Sequence, residues 1–385
     1  MSERVDYVVV GLGGLGSAAT WELARRGHRV LGLERFRLGH SRGASHDTSR
    51  ILRHSYHTPA YVRLTQEAYA DWARLEQESG EQLVTRVGGL DLFPPDPAIP
   101  AIDYTQSMDE VGIAYEALDS DTVMARWPQL RVPSGTLGLF QEAGSIVPAG
   151  RTTAVLHAES RRLGAELRDK TPVLAIEDLG DAGMRVTTSS GEVTCRGVVV
   201  TADAWTNDVV GHLGLHLPLE VTLEQVTYFA VERPEELAAL PLWIWMDDPS
   251  FYGFPPYGGS TIKAAQDCGG PAVSPDDRTS EADPAMEALL ADHVRTMLPG
   301  VGAPLRSVRC QYTLTPDRDF VLAPVPGHER VVVGLGAAHA FKFVPTFGRL
   351  LADLVTTGET TTDVSTYRLD RPALTEPDYA AHWLV

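Results

Sequence analysis

The opening of the chain commits it to a nucleotide-binding fold. "YVVVGLGGLGSAATWELARRGHRVLGLE", Tyr7 to Glu34, reads as a short β-branched strand, a glycine turn, a helix ending at Gly27 and a second strand. Gly11, Gly13 and Gly16 stand in GxGxxG spacing at the strand-to-helix turn. Glycines allow a tight turn and close approach of a pyrophosphate, whose charge is favoured at a helix N-terminus. Glu34 closes the second strand, where a carboxylate accepts hydrogen bonds from a ribose hydroxyl. The motif does not distinguish FAD from NAD. The segment that follows, "FRLGHSRGASHDTSRILRHSYH", is too long and too rich in Arg and His for a routine crossover, which favours a flavin.

Two further buried strands, at Val198 to Val200 and in "ERVVVGLG", are expected to join the first in one sheet. "GMRVTTSSGEVTC" reads as two strands turning at Ser189 to Gly191. "TRVGGLDLF" and "LEVTLEQVTYFAVERP" have the texture of antiparallel strands in a second domain. The expected division is a nucleotide domain at 1–80, 150–215 and 313–385, with a discontinuous substrate domain at 81–149 and 216–312.

Lys plus Arg total 33 against 51 for Asp plus Glu, so the net charge of −18 argues against nucleic acid as a partner. Cys195, Cys268 and Cys310 are odd in number and widely separated, which argues against a disulfide framework or a cysteine-rich zinc site. The 12 histidines show no HExxH or comparable ligand spacing. With no secretory signal pattern and no spanning apolar run, a cytoplasmic protein without membrane attachment is expected.

Several segments in fixed order, "VVVGLGGLGSAATWELARRG", "GASHDTSRILRHSYH", "TRVGGLDLF", "YGFPPYGGSTIKAA", "CQYTLTPDRDF", "GAAHAFKF" and a late "RPAL", make the chain similar to a known family. It resembles the FAD-dependent amine oxidases typified by monomeric sarcosine oxidase and N-methyltryptophan oxidase. The resemblance implies an α/β chain, α+β overall, with a Rossmann-like FAD-binding domain and an interleaved antiparallel-sheet substrate domain. This is the architecture of glutathione reductase and D-amino-acid oxidase.

It also implies roles for individual residues. Cys310 would carry FAD through a thioether, and Arg309 beside it is expected to favour the thiolate. Arg50 would lie next to the flavin ring, with His46 and Ser49 on the same loop and Val173 as a further cofactor contact. Arg53 and Lys342 would clamp a substrate carboxylate, a task suited to the planar fork of Arg. Lys263 would promote reaction with oxygen, because a fixed positive charge in a dry cavity stabilises developing superoxide. Tyr252, Tyr312 and His339 would line the pocket, and Trp243 and Trp245 are candidates to shape it. Where sarcosine oxidase carries a pocket histidine, this sequence has Gln266 and Asp267.

The implied reaction is two-electron oxidation of a secondary amine or cyclic amino acid at the carbon next to nitrogen. It gives an imine and, with oxygen, hydrogen peroxide; a monomer is expected. An NAD(P)-dependent dehydrogenase and a non-catalytic flavoprotein are the alternatives, of which the second would have lost the charged pocket.

Overall fold

The computed structural model describes residues 3–384. At its centre a six-stranded sheet runs in the order Glu166–Arg168, Val30–Leu33, Tyr7–Val10, Gly197–Val200, His328–Leu335, Val321–Val325. All neighbours are parallel except the last pair. The three valine-rich strands expected to share a sheet are therefore adjacent, and they are apolar on both faces because both faces are covered. Alternation decides what each valine meets. Val9, Val199 and Val332 pack with the helices, including Ala18 and Trp21 of helix Gly14–Arg25 and Phe347 of helix Val344–Thr357. Val8, Val198 and Val331 face the opposite side, with Ile176, Met184 and Val193 of a small four-stranded sheet. The two helices touch at Gly348, where a Cβ would lie 2.6 Å from Ala18.

An eight-stranded sheet forms the second layer system, in the order Val301–Leu314, Glu220–Val231, Thr261–Gln266, Phe251–Phe254, Leu242–Trp245, Gly89–Phe93, Leu137–Gln141, Glu116–Leu118. Its pairings are antiparallel apart from Leu242–Trp245 with Gly89–Phe93, which is parallel. Helix Pro284–Met297 covers one face through Leu290, Val294 and Met297. The other face carries Val226, Ile244, Tyr252 and Cys310, which line a cavity. Strand Glu220–Val231 is buried on both sides along most of its length.

A three-stranded sheet, Arg50–Leu52, Ser145–Val147, Thr85–Arg86, stitches the two parts together. Arg50 and Arg53 thus stand on and just past a strand, not on a helix face.

Candidate active site

Two cavities meet in the molecule. The larger, about 930 Å³, follows the glycine turn and is lined by Gly11, Gly13, Glu34 and Val173. Gly11 has φ 87°, and a Cβ there would lie 2.5 Å from the Thr201 carbonyl oxygen. A Cβ on Gly16 would come within 1.8 Å of the Gly11 carbonyl oxygen, so backbone itself forms the floor. Glu34 is 5% exposed and accepts hydrogen bonds from the Leu12 and Phe36 N–H groups, both at 2.9 Å. Burial raises its proton affinity, but His40 and these two amides outweigh it, and the carboxyl is held below its ordinary range.

Ala44, His46, Asp47, Arg50, Ala338 and Phe341 line both cavities. Arg50 is the fixed cation at this junction. Its guanidinium donates to the carbonyls of Ser49, Ala44 and His46 at 2.8, 2.8 and 2.9 Å, and it forms no ion pair among the described residues. Burial, reinforced by Arg50, pushes His46 down to about 4, so its imidazole is neutral at pH 7; its Nε2 has no hydrogen-bond partner among the described residues. Asp47 goes to about 2, since Lys263 overcomes the burial that opposes ionisation. Lys263 Nζ is 2.6 Å from Asp47 Oδ2 and donates to the Ser49 carbonyl at 3.1 Å. Its proton affinity falls to about 8, first through burial and then through Arg50. Lys263 lines neither cavity; it stands behind Asp47, which lines both. Ser49 likewise contributes its carbonyl rather than its side chain.

The smaller cavity, about 120 Å³, gathers Arg53, Tyr252, Cys310, Tyr312, His339 and Lys342 from widely separated segments. Arg53 is paired with Asp91 at 2.7 Å, both almost inaccessible. Lys342 sits in a short turn, Ala340–Phe343, whose carbonyl accepts from Trp72 Nε1 at 2.7 Å. Its ammonium donates to the His339 carbonyl at 3.0 Å and has no carboxylate partner among the described residues. Burial, then Arg53 and Arg318, drive its proton affinity well below that of an ordinary lysine. Burial, then Lys342 and Arg318, likewise push His339 well below the ordinary imidazole range.

Strand alternation corrects two expectations. Cys310 and Tyr312 face the cavity, whereas Arg309 points the other way and donates to Gln225 Oε1 at 3.1 Å and the Leu223 carbonyl at 2.9 Å. The cations around Cys310 are Arg50, Lys263 and Arg278, and burial still raises its thiol. Trp243 and Trp245 line neither cavity; Ile244 between them does. Trp243 instead packs in the core with Phe251 and Ile262.

Arg318 and Asp47 are site residues that sequence reasoning missed. A buried charge shows no signal in sequence until its partner is known, and the partners here lie 51 and 216 positions away, at Asp267 and Lys263 (318 − 267 and 263 − 47).

A glycine turn under a parallel sheet, a dinucleotide-sized cavity and a small charged cavity joined to it define a flavoprotein of the oxidoreductase class. The chain belongs to the FAD-dependent oxidoreductase family called DAO, whose model matches residues 6–354. It is an FAD-dependent oxidase acting on CH–NH bonds. It is 36% identical over 375 residues to monomeric sarcosine oxidase of Streptomyces avermitilis, covering 94% of this chain and 96% of that protein. Human peroxisomal sarcosine oxidase is 32% identical over 379 residues, covering 95% and 96%. Among solved structures, the open form of NikD, described as an unusual amino acid oxidase essential for nikkomycin biosynthesis, superposes with TM-score 0.85 at 29% identity, covering 95% and 98%. No helix among the described residues is long and apolar enough to cross a membrane.

Proposed function

We propose that the substrate is a small secondary amine or cyclic amino acid with a free carboxylate. The observation that supports this most directly is Lys342, a buried ammonium with no carboxylate partner among the described residues, facing a small cavity beside Arg53. An incoming carboxylate supplies the missing counter-charge and favours the ammonium form that burial opposes, and charge-assisted hydrogen bonds are among the stronger ones available. The sarcosine oxidase names of the relatives agree with such a substrate.

The glycine turn fits FAD, since a Cβ at Gly11 or Gly16 would collide with backbone and one at Gly13 would crowd Ser45. Gly11, Gly13, Gly16, Glu34 and Val173 would hold the dinucleotide, with Arg50 and His46 at the reactive end. FAD supplies the two-electron acceptor, with dioxygen as the final oxidant and hydrogen peroxide and an imine as products. The protein's share is positioning. Lys342 and Arg53 fix the carboxylate, Tyr252 and Tyr312 wall the cavity, and burial beside these cations disfavours the ammonium form of the amine. Lys263, held by Asp47 behind the junction, is the proposed charge for oxygen activation.

Cys310 is the proposed thioether position, 6% exposed on the cavity wall. We assign the nucleotide role to 1–80, 150–215 and 313–385 and the substrate role to 81–149 and 216–312, following the two large sheets. The free state of all three cysteines supports a reducing, cytoplasmic setting, and the "monomeric" relatives support a monomer.

The test is anaerobic bleaching of the flavin by sarcosine, N-methyl amino acids and pipecolate, each against its methyl ester. Bleaching by the free acids alone is expected; equal bleaching by the esters would remove the carboxylate clamp. In the same preparation, acid precipitation should leave the colour in the pellet and Cys310→Ala should release it.

A further inference from the structure

In the small cavity the charges pair off unevenly. Arg53 and Asp91 are sealed, with side chains 7% and 4% exposed. Arg318 is sealed too, at 3%, but its partner Asp267 is 21% exposed and lines the cavity. The guanidinium grips both oxygens, Nη2 to Oδ1 at 2.9 Å and Nη1 to Oδ2 at 2.8 Å. Arg318 is itself fixed, since its Nη1 donates to the Trp383 carbonyl and its own carbonyl is 3.0 Å from His339 Nε2. The Asp267 N–H donates to the Ser250 carbonyl at 2.9 Å. This carboxylate is therefore held rigidly, and the bidentate grip occupies about two of its roughly four acceptor positions.

Asp267, Arg318 and Lys342 line only the small cavity and not the junction with the cofactor cavity. A substrate with its carboxylate at Lys342 and its reacting carbon at the junction shares this cavity with Asp267, which is thus among the groups its substituent can meet. An apolar substituent there would strip water from the free acceptor positions and return nothing, which is costly for a charged group. A second ammonium gains little, because Arg318 already balances the charge, and a second carboxylate is repelled.

Resting on the amine oxidase reading, we propose that Asp267, positioned by Arg318, is a specificity residue that selects substrates whose substituent carries a neutral hydrogen-bond donor. A hydroxyl or an uncharged N–H is the group it recognises.

The experiment compares N-methyl-L-serine with its near-isostere N-methyl-L-2-aminobutyrate in the holoenzyme. Wild type should favour the hydroxyl substrate by about tenfold or more in kcat/KM, one charge-assisted hydrogen bond's worth. Asp267→Leu with Arg318→Met, which removes both charges together, should reduce that ratio to near one or invert it; Asp267→Asn, which keeps the shape, should fall between. A wild-type ratio near one, or a ratio unchanged in the variants while melting temperature falls, overturns the proposal and leaves the pair a strut for the C-terminal segment. The same contrast is read without turnover by calorimetric binding of glycerate against 2-hydroxybutanoate. Tighter glycerate with no amine oxidised would fault the amine reading and keep this one. Equal binding, or none, would sink it.

Discussion

The two cavities share Arg50 and Phe341 yet are made of different material. The cofactor cavity has a floor of backbone: one continuous stretch, Tyr7 to Glu34, supplies strand, turn, helix and acid, and Gly11 and Gly16 are required because a Cβ at either would meet main chain. The smaller cavity, the proposed substrate site, is walled by side chains that arrive singly on separate strands and turns, and most of its charges come as pairs. The first is hard to alter without losing the cofactor. The second can be retuned one residue at a time, which is where substrate differences within one fold reside.

The sharpest break in this comparison is Gly16→Val. With a Cβ placed 1.8 Å from the Gly11 carbonyl oxygen, the turn cannot close, and the purified protein should lose essentially all flavin absorbance. Far-UV circular dichroism separates this from global unfolding; retained flavin would mean the turn is not the cradle.

Lys342→Met should act on the other cavity alone. Flavin content stays at wild type, while kcat/KM for a carboxylate-bearing amine falls about 10- to 100-fold, mainly through KM, as loss of a charge-assisted bond worth ~1.5–3 kcal/mol predicts. An unchanged KM would show that the carboxylate binds elsewhere.

Lys263 gives the smallest and most conditional effect. Its folded proton affinity near 8 lies below the lysine reference, so the ammonium is present below that pH and lost above it. Reoxidation of the reduced flavin by oxygen should slow as pH rises through about 8, and in Lys263→Met it should be slow and flat while anaerobic reduction is retained. A pH-independent wild type, or reduction impaired as strongly as reoxidation, removes Lys263 from the oxygen step.

How much of this was legible beforehand follows the same division. The nucleotide sheet could be read because each of its strands is a local apolar run and its turn is a local glycine pattern. Cys310, Arg50, Arg53 and Lys342 were reached only through resemblance. Neighbour effects inferred along the chain failed at Arg309 and at Trp243 and Trp245, because consecutive strand residues point to opposite faces. Cys310 and Ile244 face the cavity, and the residues beside them turn away.

The sequence by itself determined the βαβ start, the buried parallel sheet and the need for glycine at the turn, since these depend on interactions within a few residues and on side-chain period. Tertiary structure alone decided that Asp47 answers Lys263, that Asp91 answers Arg53, that Asp267 answers Arg318, and that Lys342 has no carboxylate partner among the described residues. Burial makes each such charge depend on whatever lies across the cavity, and the chain's fold, not its order, sets what that is.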